Sequence, residues 1–236
     1  MKEKITKAYV QNHFLYFKWV YTLIVIFAVM GWSLIFSVTR PQVPEDKKID
    51  VYFCGPTFQY DQDQMQAEAM EAFPDMEEIG FYGIDVDSYE GYQQFSVMLA
   101  AHEGDVFIIS KSYLSYFVSE WLAVELDGYI QDGLLITQAD YSKTTKNRVP
   151  DTYSNPDDND TAPRIYAVEC SDLYGMMLGC LYDNRDAVMI VTSYSGNEEN
   201  AVKMVQWLYD RFYCAEEPDY IDNFDALVKQ IQSSGY

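Results

Sequence analysis

Polar, charged and aromatic side chains follow four predicted buried strands at the points where the strands end. The set consists of Thr57, Phe58, Asp85, Asp87, Ser110, Lys111, Ser193, Tyr194 and Ser195. In open α/β sheets, ligands and partners bind beyond the carboxyl ends of the strands, where loop side chains and helix N-termini converge. These residues therefore predict one site at that edge, with Phe58 and Tyr194 exposed. Helix capping near Ser88 and at Ser193–Gly196 is the alternative interpretation of the polar groups.

Residues suited to catalysis are few. The only histidines are His13, before an apolar segment, and His102, near a predicted helix end. The motifs of serine hydrolases, zinc peptidases, P-loop proteins and dinucleotide-binding proteins are absent from the sequence. Because hydrolytic chemistry needs a positioned base, we expect a protein that is not an enzyme and uses no cofactor.

One acidic loop resembles the start of a calcium site. Asp157, Asn159 and Thr161 have the right spacing, but no glycine follows at the sixth place. Val168 stands where the loop needs a bidentate glutamate. We therefore predict no metal site there.

The elements that position the polar set are short apolar runs alternating with helix-period segments. The runs are 50–54, 79–85, 105–109, 165–169 and 187–192. Runs that are apolar on both alternating faces are typical of strands buried on both sides, as in parallel sheets. The alternation predicts a three-layer α/β lobe with a mostly parallel central sheet. Its predicted core includes Val51, Phe53, Phe107, Ile109, Tyr166, Val188 and Ile190.

Two segments lie outside this alternation. Residues 39–49 contain two prolines and predict a short, stiffened linker. Residues 138–163 are polar and rich in turn-forming residues, and loops of this length are usually functional or mobile.

Residues 19–38 contain no charged residue, and a helix of this length spans a hydrocarbon core of about 30 Å. Four lysines and one glutamate precede it, so the positive-inside rule predicts a cytoplasmic tail at 1–18 and an exported remainder. The run exceeds the apolar core of a cleaved signal, which is about 7–15 residues long. We expect an uncleaved signal anchor in the cell membrane; a cleaved signal is the alternative, and either exports the rest.

The exported part is strongly acidic. It contains 12 of the 16 Lys and Arg residues and 36 of the 37 Asp and Glu residues, which gives a net charge of −24. The negative electrostatic potential of this charge repels nucleic acid and anionic lipid, so we expect no nucleic-acid binding. The same potential attracts cations or a basic partner.

All four cysteines lie in the exported part. An even number of cysteines outside the cell permits disulfides, and four cysteines can form two disulfides in three different ways. Cys170 and Cys180 form the most plausible pair, since one ends a strand and the other follows a short helical segment. Cys54 lies in a core strand, where a small buried hydrophobe is the simpler interpretation.

Several segments match the short motifs of one transport family. These are Asp50-Val-Tyr-Phe, Gly104-Asp-Val-Phe-Ile-Ile, Leu126-Asp-Gly-Tyr-Ile, Ile165-Tyr-Ala-Val and the strand-plus-helix segment from Ala187 to Val205. Together they resemble the extracellular solute-binding proteins of bacterial ABC importers. The resemblance implies that residues 50–236 form one periplasmic-binding-protein-like α/β domain.

The chain departs from that family in two ways. About twenty residues separate the strand at Ile165 from the strand at Ala187, where the family places most of a second lobe. A protein helix also replaces the family's lipid anchor. The resemblance therefore implies a membrane-anchored binding or accessory subunit that docks on an ABC transporter permease or another membrane protein. Whether one lobe holds a small molecule stays open, and a cell-surface enzyme with its site at the same strand ends is the alternative.

Overall fold

The computed structural model describes residues 7–39, 43–55, 61–136, 141–144, 163–214, 224 and 226. The chain divides into two compact units, Met1–Gln42 and Val43–Tyr236. The first contains helix α1, Lys7–Thr39. Its segment Tyr16–Phe36 has a mean hydropathy of 2.1 and no buried residues, and its length and composition suffice to cross a membrane. The predicted N-terminal apolar helix is thus confirmed. Its use as an anchor or as a signal sequence stays a prediction.

The second unit alternates strands and helices. Its elements are β1 Lys48–Cys54, α2 Gln62–Ala72, β2 Glu78–Ile84, α3 Tyr89–Ala101, β3 Val106–Ser110, α4 Leu114–Ser119, α5 Asp127–Gln131, β4 Tyr141–Thr144, β5 Arg164–Glu169, α6 Gly175–Cys180, β6 Ala187–Val191 and α7 Glu198–Phe212. Strand β1 begins inside the predicted linker 39–49. Strand β4 lies inside the predicted loop 138–163, most of which falls outside the described residues.

The six strands form one mixed sheet in the order β2-β1-β3-β6-β5-β4. Strand β1 pairs in parallel with β2 and β3, whereas the other three pairs are antiparallel. The expectation of a mostly parallel sheet was therefore wrong. The reason lies in the connection from β5 to β6, because the six-residue helix α6 is too short to carry the chain back across the sheet. Strand β6 consequently enters from the edge at which β5 ends.

Helices cover both faces of the sheet. Side chains of α2 and α7, including Met65 and Leu208, pack on one face, and those of α3 and α4, including Phe95 and Phe117, pack on the other. The seven core side chains predicted from the sequence are each at most 1% exposed, which confirms that part of the prediction.

The four cysteines are free, so the expected Cys170–Cys180 disulfide is not formed. Both thiols pack into the apolar cluster that also contains Leu173 and Met176. Burial raises the pKa of Cys180 to about 12 and also raises the pKa of Cys170 and Cys54. All three behave as small buried hydrophobes, the interpretation that the sequence suggested for Cys54.

Candidate binding site

The carboxyl ends of β1, β2 and β3 meet at one edge of the sheet. In the parallel register Cys54 lies opposite Ile84. In the antiparallel register Ser110 lies opposite Ala187, so the loop that precedes β6 joins the same edge. We call this region the carboxyl edge; it comprises residues 55, 85–88, 110–113 and 182–187.

The structure divides the predicted site residues between opposite edges. Asp85, Asp87, Ser110 and Lys111 lie at the carboxyl edge, as expected. Thr57 and Phe58 lie outside the described residues. Ser193, Tyr194 and Ser195 lie at the opposite edge, so the prediction that they share one site with the others was wrong. The physical reason is the reversal of β6, whose last residue, Val191, lies opposite the first residue of β3.

The three displaced residues have partners at the opposite edge. Ser193 Oγ donates a hydrogen bond to the Trp121 carbonyl at 2.5 Å, and Ser195 Oγ donates to Asp105 Oδ1 at 2.5 Å. The Tyr194 ring stacks on His102 with 4.9 Å between centroids, and its hydroxyl donates to the Glu103 carbonyl at 3.3 Å. Tyr194 is half-buried, which contradicts the expectation that it is exposed.

An open cavity of about 550 Å³ lies at the carboxyl edge. Its lining includes Gly55, Asp87, Ser110, Ser112, Tyr113 and Arg185. The buried ring of Tyr182 also contributes, and its hydroxyl lies 3.1 Å from the Cys54 carbonyl and 3.2 Å from the Ile108 carbonyl. Tyr182 thereby joins β1 to β3 and gives the cavity a fixed inner wall.

The loop before β6 supplies most of the charges of the cavity. The Arg185 guanidinium donates to both carboxylate oxygens of Asp183, at 2.9 and 2.5 Å. Burial alone would raise the pKa of Asp183, but the hydrogen bonds and positive charge of Arg185 lower it overall. Ser110 Oγ lies 3.2 Å from Asp186 Oδ2, and Lys111 forms an ion pair with Glu169. The edge thus presents both signs of charge.

The turn after β2 uses one predicted residue for structure and leaves another at the cavity. Asp85 Oδ1 accepts a hydrogen bond from the Asp87 backbone N–H at 3.2 Å, and Ser88 Oγ accepts one from Gly91 N–H at 3.0 Å as the cap of α3. Asp85 therefore serves the turn, in agreement with the capping interpretation. The exposed Asp87 side chain lines the cavity. Desolvation and the negative charge of Asp87 raise the pKa of Tyr113, whose hydroxyl remains a hydrogen-bond donor at neutral pH.

Sequence reasoning missed the segment Asp183-Asn-Arg-Asp186, although it carries most of the charges in the cavity. Its charges directly precede a buried strand, and this signal would have identified it had the direction of β6 been known. The hydroxyls and charged groups among the described residues of the cavity suit reversible binding of polar groups. Within the part of the chain that the structure describes, no group of three or more His, Cys, Asp or Glu side chains is placed to hold a metal ion.

Comparison with models of known protein families and with curated proteins found no match.

Proposed function

We propose that the chain is a single-pass, membrane-anchored accessory subunit whose extracellular α/β domain binds a partner through the carboxyl edge. The partner is an ABC transporter permease or another membrane protein, as the resemblance to solute-binding proteins implies. The N-terminal tail lies in the cytoplasm, and the role is binding without chemistry.

The observation that carries this proposal is the open, mixed-charge cavity at the carboxyl edge. Its volume of about 550 Å³ falls within the range of roughly 300–1,000 Å³ that is common for ligand sites. The guanidinium of Arg185, the carboxylate of Asp87 and the hydroxyls of Ser110 and Ser112 can bind a polar loop of a partner or a small polar molecule.

The connection between β5 and β6 supports a role in docking. In the resembled family this position holds most of a second lobe, which covers the carboxyl edge. Here residues 170–186 contain one short helix, α6, and lead directly into β6. A partner protein would therefore meet the cavity without displacing a second lobe of this chain.

Charge reversal at the cavity tests the proposal in the full-length protein. Asp87→Arg changes an exposed residue at the cavity, and Asp132→Arg makes the same change at the exposed end of α5. Helix α5 lies beside the start of β5, because its Asp127 accepts a hydrogen bond from the backbone N–H of Ile165. After cross-linking in intact cells and purification in a non-ionic detergent, we expect Asp87→Arg to lose the partner and Asp132→Arg to retain it.

Both variants should keep the thermal midpoint within about 2 °C of the wild type, because surface substitutions usually change the free energy of unfolding by less than about 0.5 kcal/mol. Equal capture by the two folded variants would refute the assignment of the carboxyl edge as the docking surface.

A further inference from the structure

A second and larger cavity lies between α3 and the amino ends of β1 and β3. Its volume is about 1390 Å³, and we call it the acidic groove. Lys48, Asp50 and Tyr52 of β1 form its floor, since alternate residues of a strand face the same side. The side chains of α3 line one side, and Asp105 and Tyr194 lie at the end away from the carboxyl edge.

The acidic groove combines negative charge with aromatic surface. Among the described residues, five carboxylates line it against the single ammonium of Lys48; the carboxylates belong to Glu45, Asp50, Glu90, Glu103 and Asp105. Tyr52 stacks on Tyr82 with 4.9 Å between centroids. Carboxylates and the faces of aromatic rings both attract organic cations, and the attraction increases where water is excluded.

Asp50 adds an observation that is independent of the number of acids. Its side chain is only 9% exposed, and its Oδ2 accepts a hydrogen bond from Lys48 Nζ at 2.6 Å. Its Oδ1 is buried and has no hydrogen-bond partner among the residues that the structure describes. A buried carboxylate oxygen without a hydrogen-bond partner destabilises the protein, because it has lost its contacts with water. A donor group of a ligand that reached this oxygen would remove that penalty.

The neighbouring carboxylate contrasts with Asp50. Asp105 Oδ2 accepts the Asp50 backbone N–H at 2.7 Å, and Asp105 Oδ1 accepts Ser195 Oγ at 2.5 Å, so both of its oxygens are used. Asp50 is thus the buried acid of the groove with capacity left for a donor. The contact with Lys48 shows that this carboxylate is placed to accept an ammonium group.

We propose that the acidic groove binds an aliphatic polyamine, with one ammonium group donating to Asp50 and the alkyl chain lying on the half-buried ring of Tyr82. Further ammonium groups meet the carboxylates of Glu45, Glu90 and Glu103. The proposal is independent of docking at the carboxyl edge.

Two observations favour an organic cation over a metal ion. The groove is far larger than an ion requires, and the described residues include no group of three or more potential metal ligands. Lys48 Nζ, on a side chain that is 27% exposed, already pairs with the Asp50 carboxylate through Oδ2. The ligand and Lys48 therefore compete for the same carboxylate.

Titration calorimetry of the full-length protein in zwitterionic nanodiscs, with spermidine as the probe, tests the proposal. We expect saturable binding at one site. Asp50→Asn should weaken binding about tenfold or more, because a hydrogen bond to a charged group contributes about 1.5–3 kcal/mol. Lys48→Met should tighten binding about fivefold, since it removes a competing ion pair of up to about 1 kcal/mol.

Asp132→Asn is the matched control, because it removes one negative charge from an exposed position outside the groove. Equal weakening by Asp50→Asn and Asp132→Asn would show diffuse attraction to an acidic protein and would overturn the proposal. Weaker binding by Lys48→Met, or Mg²⁺ binding with the same dependence on Asp50, would overturn it as well.

An aromatic pair of variants keeps the test decisive if Asp50→Asn fails to fold. Tyr82→Leu removes a ring that lines the groove, whereas Tyr89→Leu removes an exposed ring of α3 that does not line it. We expect only Tyr82→Leu to weaken spermidine binding, by about threefold or more, as expected for a lost cation–π contact. Identical affinities of these two variants would overturn the proposed placement.

Discussion

Replacing Gly104 with alanine tests how tightly the chain packs at the end of the acidic groove. Gly104 connects α3 to β3 with a φ of +96°, a backbone conformation that residues other than glycine rarely adopt. A Cβ at this position would lie 2.9 Å from ring atoms of Phe107 and Tyr52. Both rings are buried in the cluster beneath α3, so they have little room to move.

The expected loss of stability has two parts. The left-handed backbone conformation costs about 1–2 kcal/mol for a residue with a Cβ. Overpacking against the two rings costs about 1–3 kcal/mol. Together these amount to about 2–5 kcal/mol. For a domain of this size each kcal/mol lowers the thermal midpoint by about 2–4 °C, which predicts a fall of about 4–20 °C.

Gly133→Ala provides the matched control. Gly133 has a φ of +73°, but a Cβ there would meet no atom within 4 Å. This variant should show only the backbone cost of about 1–2 kcal/mol. Thermal unfolding followed by near-ultraviolet circular dichroism in a non-ionic detergent compares the two variants. Equal losses would show that the rings yield to the new methyl group and would refute the packing argument.

Three further predictions concern the thiols, the topology and the pH dependence of stability. Maleimide should label one thiol per native chain, the half-exposed Cys214, and four after denaturation, whereas two labelled thiols after denaturation would reveal a disulfide. Protease outside intact cells should degrade the domain and leave a protected fragment containing residues 19–38; release of an intact domain would indicate signal cleavage. Burial raises the pKa of Asp105 above its ordinary value of 3.8, so the native state binds its proton more tightly than the unfolded state. The free energy of unfolding should therefore fall as pH rises from the unfolded-state pKa of Asp105 through its higher native-state pKa. Asp105→Asn should abolish this dependence in denaturant titrations from pH 4 to 7. An unchanged pH profile would contradict the prediction.

The positions of most strands and the composition of the core could be predicted from the sequence because buried strands leave continuous apolar runs. The run 187–191 is buried on both faces, and this pattern is the same for either strand direction. Direction instead depends on the length of the connection through α6. Strand β4 was missed because it pairs along only one side, at the end of the sheet, and its sequence Tyr141-Ser-Lys-Thr is mostly polar.

The same reversal limited the prediction of the site. Asp87 follows β2 and Ser110 ends β3, and both strands run parallel to β1, so their placement at one edge could be derived from the sequence. Arg185 could not be placed there, because its position depends on the direction of β6. The acidic groove was missed since the first predicted run began at Asp50 and excluded Lys48. With Lys48 included, polar residues alternate with Ile49 and Val51, and this period of two indicates a strand with one polar face.

The insertion of β6 between β3 and β5 has a consequence for how the chain folds. Both neighbours of β6 precede it in the sequence, so until residues 187–191 arrive the sheet consists of two separate parts, β2-β1-β3 and β5-β4. Each part then exposes an unpaired strand edge, which is a template for aggregation. Pairing of Val106 with Val191 joins distant parts of the chain, and such non-local contacts form slowly. A nascent chain that ends before Ala187 is therefore expected to need protection from a chaperone. Once β6 is made, its five residues couple the folding of the two parts of the sheet.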